Sequence, residues 1–202
     1  MKLDAGDPAD IEPMRIRLKP DTTPIRTKQR RYPQPKREFL TRYVRQLLKV
    51  GFVKKVTSPE WVSAPVIVPK RPPANYRLTI DYCPVNSVTV PTFWPMPNIE
   101  SELADTRGSK SFAAIDFCSG YWRAPLHEES QPLLAFSTPE GVVMPTRTPQ
   151  GQRNSAANFQ EKVEQCFAEL RDSMKTLIDD FMLFARDAVS YTHLTLPTIY
   201  SV

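Results

Sequence analysis

Residues 177–185 read LIDDFMLFA, in which two adjacent carboxylates, Asp179 and Asp180, interrupt an apolar stretch. The apolar runs at 174–178 and 181–185 have the length and composition of short β-strands. Because only Asp179 and Asp180 separate them, the two runs are predicted to form a β-hairpin with a two-residue Asp-Asp turn. This hairpin would carry both carboxylates at its tip.

A third carboxylate ends a strand earlier in the chain. Residues 111–116 (SFAAID) form a short apolar run that closes on Asp116, and an acid at the end of a buried strand is unusual. If this strand lies beside the hairpin, Asp116, Asp179 and Asp180 converge at one edge of a sheet. Three close carboxylates repel one another, and the charge of a divalent metal ion offsets that repulsion.

Such a cluster would suit phosphoryl transfer. Two Mg²⁺ ions held by these carboxylates could activate an attacking hydroxyl and stabilise the leaving oxygens of an in-line displacement. Spacing alone leaves the alternative open, since an Asp-Asp pair between strands is more often a plain turn.

The composition is that of a globular domain of ordinary size, or of a domain with a tail. The 202 residues include 27 Lys and Arg against 22 Asp and Glu, and 41% are hydrophobic. This balance excludes a disordered charged chain, and no apolar run approaches the roughly 18 to 20 residues that span a bilayer. We expect a soluble protein. The net charge of +5 permits a polyanionic partner but does not require one.

The cysteines and histidines exclude a zinc site. Cys83, Cys118 and Cys166 are odd in number and widely spaced, and His127 and His193 are the only histidines. The first residues carry acids where a secretory signal needs an apolar stretch. We therefore expect a reducing, intracellular compartment.

Three helices are predicted. The first begins near Pro35 and ends before Gly51, with an apolar stripe at Phe39, Leu40, Tyr43, Val44, Leu47 and Leu48. A short one begins near Asn98 and ends at Gly108, with Ile99 and Leu103 turned inward. A longer one covers 154–170, with a stripe at Ala157, Phe159, Val163, Cys166, Phe167 and Leu170.

Short strands fill the remainder. A strand at 52–56 precedes two strands at 61–68 and 76–82, which a basic, proline-rich turn joins into a hairpin. A second hairpin is predicted from 133–137 and 141–144, followed by a loop at 146–151.

The segment 15–31 (RIRLKPDTTPIRTKQRR) is rich in basic residues and shows no helical apolar period. We interpret it as an extended basic arm. It is either a solvated linker or a contact surface for nucleic acid.

Five blocks in this order resemble the reverse transcriptase of long-terminal-repeat retrotransposons of the gypsy class. Residues 36–70 resemble its opening helix and "SP-W-SPV-VKK" strand, and YRLTIDYCPVNSVTV (76–90) its "RMCVDYR-LN--T" segment. Residues 95–122 resemble "PLP-ID-LLD-L-GAK-FS-LDL-SGY", and 133–160 resemble "TAF-T--G-YE-L-MPFGL-NAPATFQ". LIDDFMLFA stands where the family has "YLDDIL-YS".

The resemblance implies roles for particular residues. Asp116, Asp179 and Asp180 would be the catalytic acids and the ligands of two Mg²⁺ ions, with Mn²⁺ as an alternative. Tyr121 would lie under the incoming sugar and exclude a 2′-hydroxyl. The remaining nucleotide-binding candidates are Lys70, Arg77, Phe117, Gln150 and Gly151.

The resemblance also implies an α+β fold, the fingers and palm of a right-hand polymerase, in which helices back an antiparallel palm sheet and the thumb is absent. It divides the chain into an extended arm (1–34), fingers and the start of the palm (35–110) and the palm with its acids (111–188). Residues 189–202 resemble a translated sequencing adaptor and are expected to be a non-native tail.

Three departures from the family pattern bear on activity. Leu177 replaces the tyrosine of the "YLDD" box, Cys83 replaces the arginine after "DY", and TRTPQGQRNSA replaces the "MPFGL-NAP" block. Both a tolerated variant and a decayed copy of an element would show these changes.

The sequence thus predicts a fragment of an RNA-directed DNA polymerase, which extends a primer 3′-hydroxyl with a dNTP on an RNA or DNA template. Its other partners would be the thumb, connection and RNase H regions of the parent polyprotein, in a cytoplasmic particle or the nucleus. The alternative is a catalytically silent remnant that folds and at most binds nucleic acid. A metal-dependent nuclease is disfavoured, because nucleases rarely need the Tyr121 gate.

Overall fold

The computed structural model describes residues 6–71, 76–117 and 120–186. The predicted tail at 189–202 and part of the proline-rich turn lie outside the described residues. Within them, four helices and eight strands follow one another in the order α1 (Gln34–Lys49), β1 (Val53–Val56), β2 (Ala64–Pro69), β3 (Tyr76–Asp81), α2 (Cys83–Val88), α3 (Ile99–Asp105), β4 (Ser111–Asp116), β5 (Phe136–Thr138), β6 (Gly141–Pro145), α4 (Ser155–Cys166), β7 (Met174–Leu177) and β8 (Asp180–Ala185).

The strands form three antiparallel sheets, with the orders β1-β6-β5, β2-β3 and β4-β8-β7. The chain divides into two compact units. The first unit comprises residues 1–91 and 121–155, and the second unit comprises 92–120 and 156–202. The chain thus leaves the first unit, returns to it and leaves it again, whereas the division at 34, 110 and 188 that the resemblance implies stays a prediction.

Helix α1 confirms the prediction from its apolar stripe. Pro35 lies in its first turn, where the missing N–H has no intrahelical partner. Leu40, Val44 and Leu47 are buried at i, i+4 and i+7 against β1 and the β5–β6 hairpin. The helix ends before Gly51, whose φ of +75° suits glycine.

The basic arm is extended, but its first part is not a solvated linker. Met14 and Ile16 are buried, and they pack in an apolar cluster of the first unit with Trp61, Tyr82 and Leu126. Arg15 and Arg17 between and after them are exposed. This alternation has the two-residue period of a β-strand, so every second side chain of the segment packs into the apolar cluster.

The sheet β4-β8-β7 forms the centre of the second unit and packs against α4 through aromatic rings. Phe167, which follows α4, lies edge-on to Phe181 at a centroid distance of 5.5 Å. Phe159 and Val163 of α4 are buried, as predicted. The helix ends at Cys166 instead of 170, and Cys166 is exposed, because Phe167 leaves the helical conformation (φ −108°, ψ 23°) and packs on β8.

Helix α3 begins after Asn98, whose side chain accepts a hydrogen bond from the Glu100 N–H. The prediction that Ile99 and Leu103 point inward is wrong, since both are at least half exposed. The residues of α3 that contact β7 are Glu102 and Asp105, which form ion pairs with Lys175. None of the described helices is long and apolar enough to cross a bilayer.

Candidate active site

The two strands that carry the acids are neighbours. β4 runs antiparallel to β8, and Asp116 is the register partner of Asp180. Directly opposite residues in such a pair have Cα atoms about 4.5 to 5.5 Å apart. The predicted adjacency of these strands at one sheet edge is therefore confirmed for the backbone.

The turn between β7 and β8 differs from the predicted Asp-Asp turn. Leu177 pairs with Asp180, so Asp180 belongs to β8 and the two turn residues are Ile178 and Asp179. Ile178 has a φ of +57°. The hairpin needs a left-handed residue at this place, and Ile178 adopts that conformation although it is β-branched.

The turn is held on both sides. The Phe117 N–H donates to the Asp179 carbonyl oxygen at 2.9 Å, which extends the β4–β8 ladder past Asp116. The Ile178 N–H donates to Oε1 of Gln160 on α4 at 2.6 Å. These two bonds fix the backbone on which Asp179 and Asp180 stand.

The carboxylates themselves face outward. Asp116 and Asp180 are exposed and Asp179 is half-buried. Across the described ranges, no three acidic, histidine or cysteine side chains stand close enough to hold one metal ion. The donor set nevertheless fits Mg²⁺ or Mn²⁺, because all three groups offer hard oxygens from adjoining backbone positions.

The other candidate residues, except Phe117, lie in the first unit. Arg77 on β3 donates through Nη2 to Oε1 of Gln150 at 2.8 Å, so these two come together. Gly151 follows with a φ of +92°, which favours glycine. Lys70 is exposed directly after β2, whereas Tyr121 is only 8% exposed. Phe117 lies in the second unit, with its ring 4.9 Å from that of Phe181.

Sequence reasoning missed Asn86, which shapes the Gln150 loop. Its Nδ2 donates to the Gly151 carbonyl at 2.9 Å, and its Oδ1 accepts from the Arg153 N–H at 2.8 Å. Asn86 lies on α2, more than sixty residues from the loop, and one asparagine in a short helix gives no local signal of such a contact. It also missed Gln160, which lies within a block that the resemblance covers.

Lys175 on β7 has a pKa that is clearly displaced. Hydrogen bonds to Asp105 and then to Glu102, together with their charges, raise its pKa, and partial burial opposes them. Its Nζ lies 2.9 Å from Asp105 and 3.1 Å from Glu102. Because these acids are three residues apart on α3, the ion pairs turn the acidic face of that helix toward β7 and leave Ile99 and Leu103 on the other side.

Comparison with known proteins fits this arrangement. Residues 68–199 match the profile of the family described as "Reverse transcriptase (RNA-dependent DNA polymerase)". The chain belongs to this family. The match includes all three acids and continues to residue 199, so it gives no support to a non-native tail at 189–202.

Individual relatives agree. This reverse transcriptase domain is 33% identical over 170 residues to the "Retrovirus-related Pol polyprotein from transposon opus" of Drosophila melanogaster, covering 81% of this chain and 17% of the polyprotein. It is 28% identical to the "Enzymatic polyprotein" of cauliflower mosaic virus, strain NY8153, covering 85% of this chain and 26% of that one. The chain therefore spans about a quarter or less of these relatives.

A solved structure shows the same fold. The foamy viral protease-reverse transcriptase in complex with an RNA/DNA hybrid matches with a TM-score of 0.81 and 24% identity, covering 92% of this chain and 24% of that one. The predicted α+β polymerase fold is thus confirmed.

Proposed function

We propose that this chain is the nucleotidyl-transfer part of an RNA-directed DNA polymerase from a gypsy-class retrotransposon polyprotein. The observation that carries the proposal is the register pairing of Asp116 with Asp180 beside the Ile178–Asp179 turn. This pairing brings the backbone positions of the three aspartates to one edge of the sheet in a reverse transcriptase fold. The similarity to the Drosophila opus polyprotein and the five sequence blocks support the gypsy class.

Asp116, Asp179 and Asp180 would hold two Mg²⁺ ions, or Mn²⁺. Bound there, the ions would lower the pKa of the primer 3′-hydroxyl and neutralise charge on the transferred phosphoryl group. The protein contributes orientation: the β4–β8 ladder fixes Asp116 opposite Asp180, and the Phe117 N–H fixes the carbonyl of Asp179.

The candidates of the first unit would bind the dNTP. Arg77 and Lys70 offer cationic donors for phosphate oxygens, with Arg77 able to make paired hydrogen bonds. The bond from Arg77 to Gln150 links a cation of the β2–β3 hairpin to the loop that carries Gly151. Tyr121 would exclude a ribose 2′-hydroxyl, and Phe117 would support the nucleotide from the strand end.

The nucleic-acid partner would be an RNA or DNA template with its primer, and the sequence pI of 9.2 favours that polyanion. The thumb, connection and RNase H regions of the parent polyprotein would complete the enzyme. We also propose an intracellular location, in a cytoplasmic particle or the nucleus, because the resemblance to retrotransposon polyproteins implies one.

Primer extension tests the proposal. The chain, carried in its polyprotein, should extend a DNA primer on an RNA template in the presence of Mg²⁺. Asp179→Asn should abolish extension, because a neutral amide of the same size removes charge that binds the ions. Its melting temperature should be equal or higher, since repulsion among the acids falls.

Asp172→Asn is the matched control, because Asp172 is an exposed acid outside the sheet edge. It should extend primers at the parental rate. Extension by Asp179→Asn at that rate would overturn the assignment of the acids. A parental protein that binds template and primer but never extends would favour the silent remnant.

A further inference from the structure

Gln160 of α4 is a fully buried polar side chain next to the candidate site. It is 0% exposed, and both ends of its amide are engaged. Oε1 accepts from the Ile178 N–H at 2.6 Å, while Nε2 donates to the Thr176 carbonyl at 3.1 Å and lies 3.2 Å from Oγ1 of Thr176. The Gln160 side chain therefore forms hydrogen bonds with both the end of β7 and the turn that follows it.

The orientation of this amide is fixed by its neighbours. Nε2 of Gln160 also donates to Oε1 of Glu164, one turn further along α4, at 2.7 Å. The other oxygen of Glu164 accepts from the indole N–H of Trp94 at 3.2 Å. An ionised carboxylate only accepts hydrogen bonds, so Nε2 must face Glu164 and Oε1 must face Ile178.

Ile178, whose N–H donates to Gln160, has an unfavourable backbone conformation. Ile178 has a φ of +57°, a region that β-branched residues rarely enter. A residue in such a conformation persists only where the surroundings determine it. The hydrogen bond from the Ile178 N–H to Gln160 stabilises this conformation from the side of α4. The hydrogen bond from the Phe117 N–H to the carbonyl oxygen of Asp179 stabilises the next residue of the turn.

We infer that Gln160 is a positioning residue, which keeps the Ile178–Asp179 turn in the left-handed conformation that presents Asp179 and Asp180 beside Asp116. The inference rests on the proposed function, because it concerns the geometry of the same carboxylates. A buried helix residue that is not itself a metal ligand thereby contributes to metal affinity, through the position of the ligands.

Mn²⁺ binding to the whole chain, measured by electron paramagnetic resonance, provides the test. Gln160→Met keeps the length of the side chain and removes both hydrogen-bonding ends. It should weaken Mn²⁺ binding about 10- to 100-fold, the usual effect of losing a group that orients a ligand. The matched control is Val163→Ala, which removes a buried group from the same helix. It should lower the melting temperature and leave the Mn²⁺ affinity of the folded protein unchanged.

A second variant separates positioning from general stability. Glycine adopts a positive φ without cost, so Ile178→Gly in the Gln160→Met background should restore a large part of the Mn²⁺ affinity. A role of Gln160 in mere packing would not be rescued by a change in the turn. Equal Mn²⁺ affinity of the parental and Gln160→Met chains, or no rescue by Ile178→Gly, would overturn the inference.

A measurement on the parental chain covers the case in which Gln160→Met fails to fold. Amide exchange at Ile178, followed by NMR, should be slow because its N–H is bonded to a buried oxygen, and fast exchange would overturn the inference. The proposed function has its own criterion. If Asp116→Asn does not weaken Mn²⁺ binding, the metal site itself is wrong, whereas an effect of Asp116→Asn without one of Gln160→Met contradicts only the role of Gln160.

Discussion

Tyr121 lies in the short 3-10 turn Gly120–Trp122, and its ring is almost entirely buried. The resemblance gives this ring the role of a steric gate against ribonucleotides, and a gate acts by occupying space. Tyr121→Ala should therefore raise incorporation of ribonucleotides relative to deoxynucleotides, measured as the ratio of kcat/KM values in primer extension.

Tyr121→Phe is the control for this prediction, because it keeps the ring and removes only the hydroxyl. It should retain the parental selectivity. The gate would be refuted if Tyr121→Ala and the parental enzyme discriminate equally. Loss of the buried ring should also cost about 3 to 5 kcal/mol of stability, so selectivity is to be measured well below the melting temperature.

At the residue scale, the sequence predicts the three aspartates but not the residues that hold their backbone in place. Asp116 stands out as an acid that closes an apolar run, and Asp179 and Asp180 stand out because LIDDFMLFA resembles the family's "YLDDIL-YS" box. Nothing local distinguishes Gln160 from the exposed Gln165 of the same helix. Its importance arises from burial against Thr176 and Ile178, which depends on how α4 packs on the sheet.

Gly120 controls how α4 approaches the strand end at Asp116. A Cβ at this position would lie 2.8 Å from Cζ of Phe159 and 3.1 Å from Cβ of Phe117. Gly120→Ala should therefore destabilise the protein by about 1 to 3 kcal/mol, as overpacking does, in urea denaturation.

The clash is with the tip of the Phe159 ring, so Phe159→Leu, which lacks that atom, should compensate. The double variant should lose less stability than the sum of the two single variants. Strict additivity would show that the two residues do not meet.

Lys175 should hold α3 on β7. Lys175→Met removes the ion pairs to Glu102 and Asp105 and should cost about 0.2 to 1 kcal/mol at pH 7, since such pairs are partly exposed and screened. The pKa of Lys175 is raised above its ordinary 10.5. Its contribution is therefore complete below pH 10.5 and is lost as the pH rises through the folded-state value.

Urea denaturation at pH 7 and near pH 12 checks this. The difference in the free energy of unfolding between the parental chain and Lys175→Met should be smaller at the higher pH. Lys54→Met, at an exposed position of β1, is the control and should change little at either pH. If this difference in the free energy of unfolding does not change with pH, Lys175 does not stabilise the protein through its charge.

At the element scale, the sequence predicts most of the strands and helices, and two of its errors show what it leaves out. The stripe Ile99 and Leu103 suggests an inward face, but the ion pairs of Lys175 turn α3 the other way. The predicted Asp-Asp turn is displaced by one residue, because the pairing of Leu177 with Asp180 sets the register. The partner that decides for α3 is distant in sequence, since Lys175 and Asp105 are 70 residues apart. The pair that decides the turn is local, and its register cannot be read from the apolar pattern alone.

At the scale of the whole molecule, each compact unit is assembled from two separate stretches of chain. In the first unit β1 pairs with β6, and Val53 faces Pro145 across more than ninety residues. The blocks that the resemblance assigns, such as 35–110 and 111–188, follow the chain linearly. A linear division does not express that residues 121–155 return to the first unit. The same resemblance correctly predicts the α+β polymerase fold.

Anomalous diffraction from crystals grown with Mn²⁺, template–primer and a dNTP tests the central claim most directly. We expect two Mn²⁺ peaks about 3.5 to 4 Å apart, bridged by carboxylates at the edge of the β4–β8 pair. Oxygens of Asp116 and Asp179 should lie within about 2 to 2.5 Å of the ions. Mn²⁺ bound elsewhere, with no oxygen of Asp116 or Asp179 within coordination distance of an ion, would contradict the account.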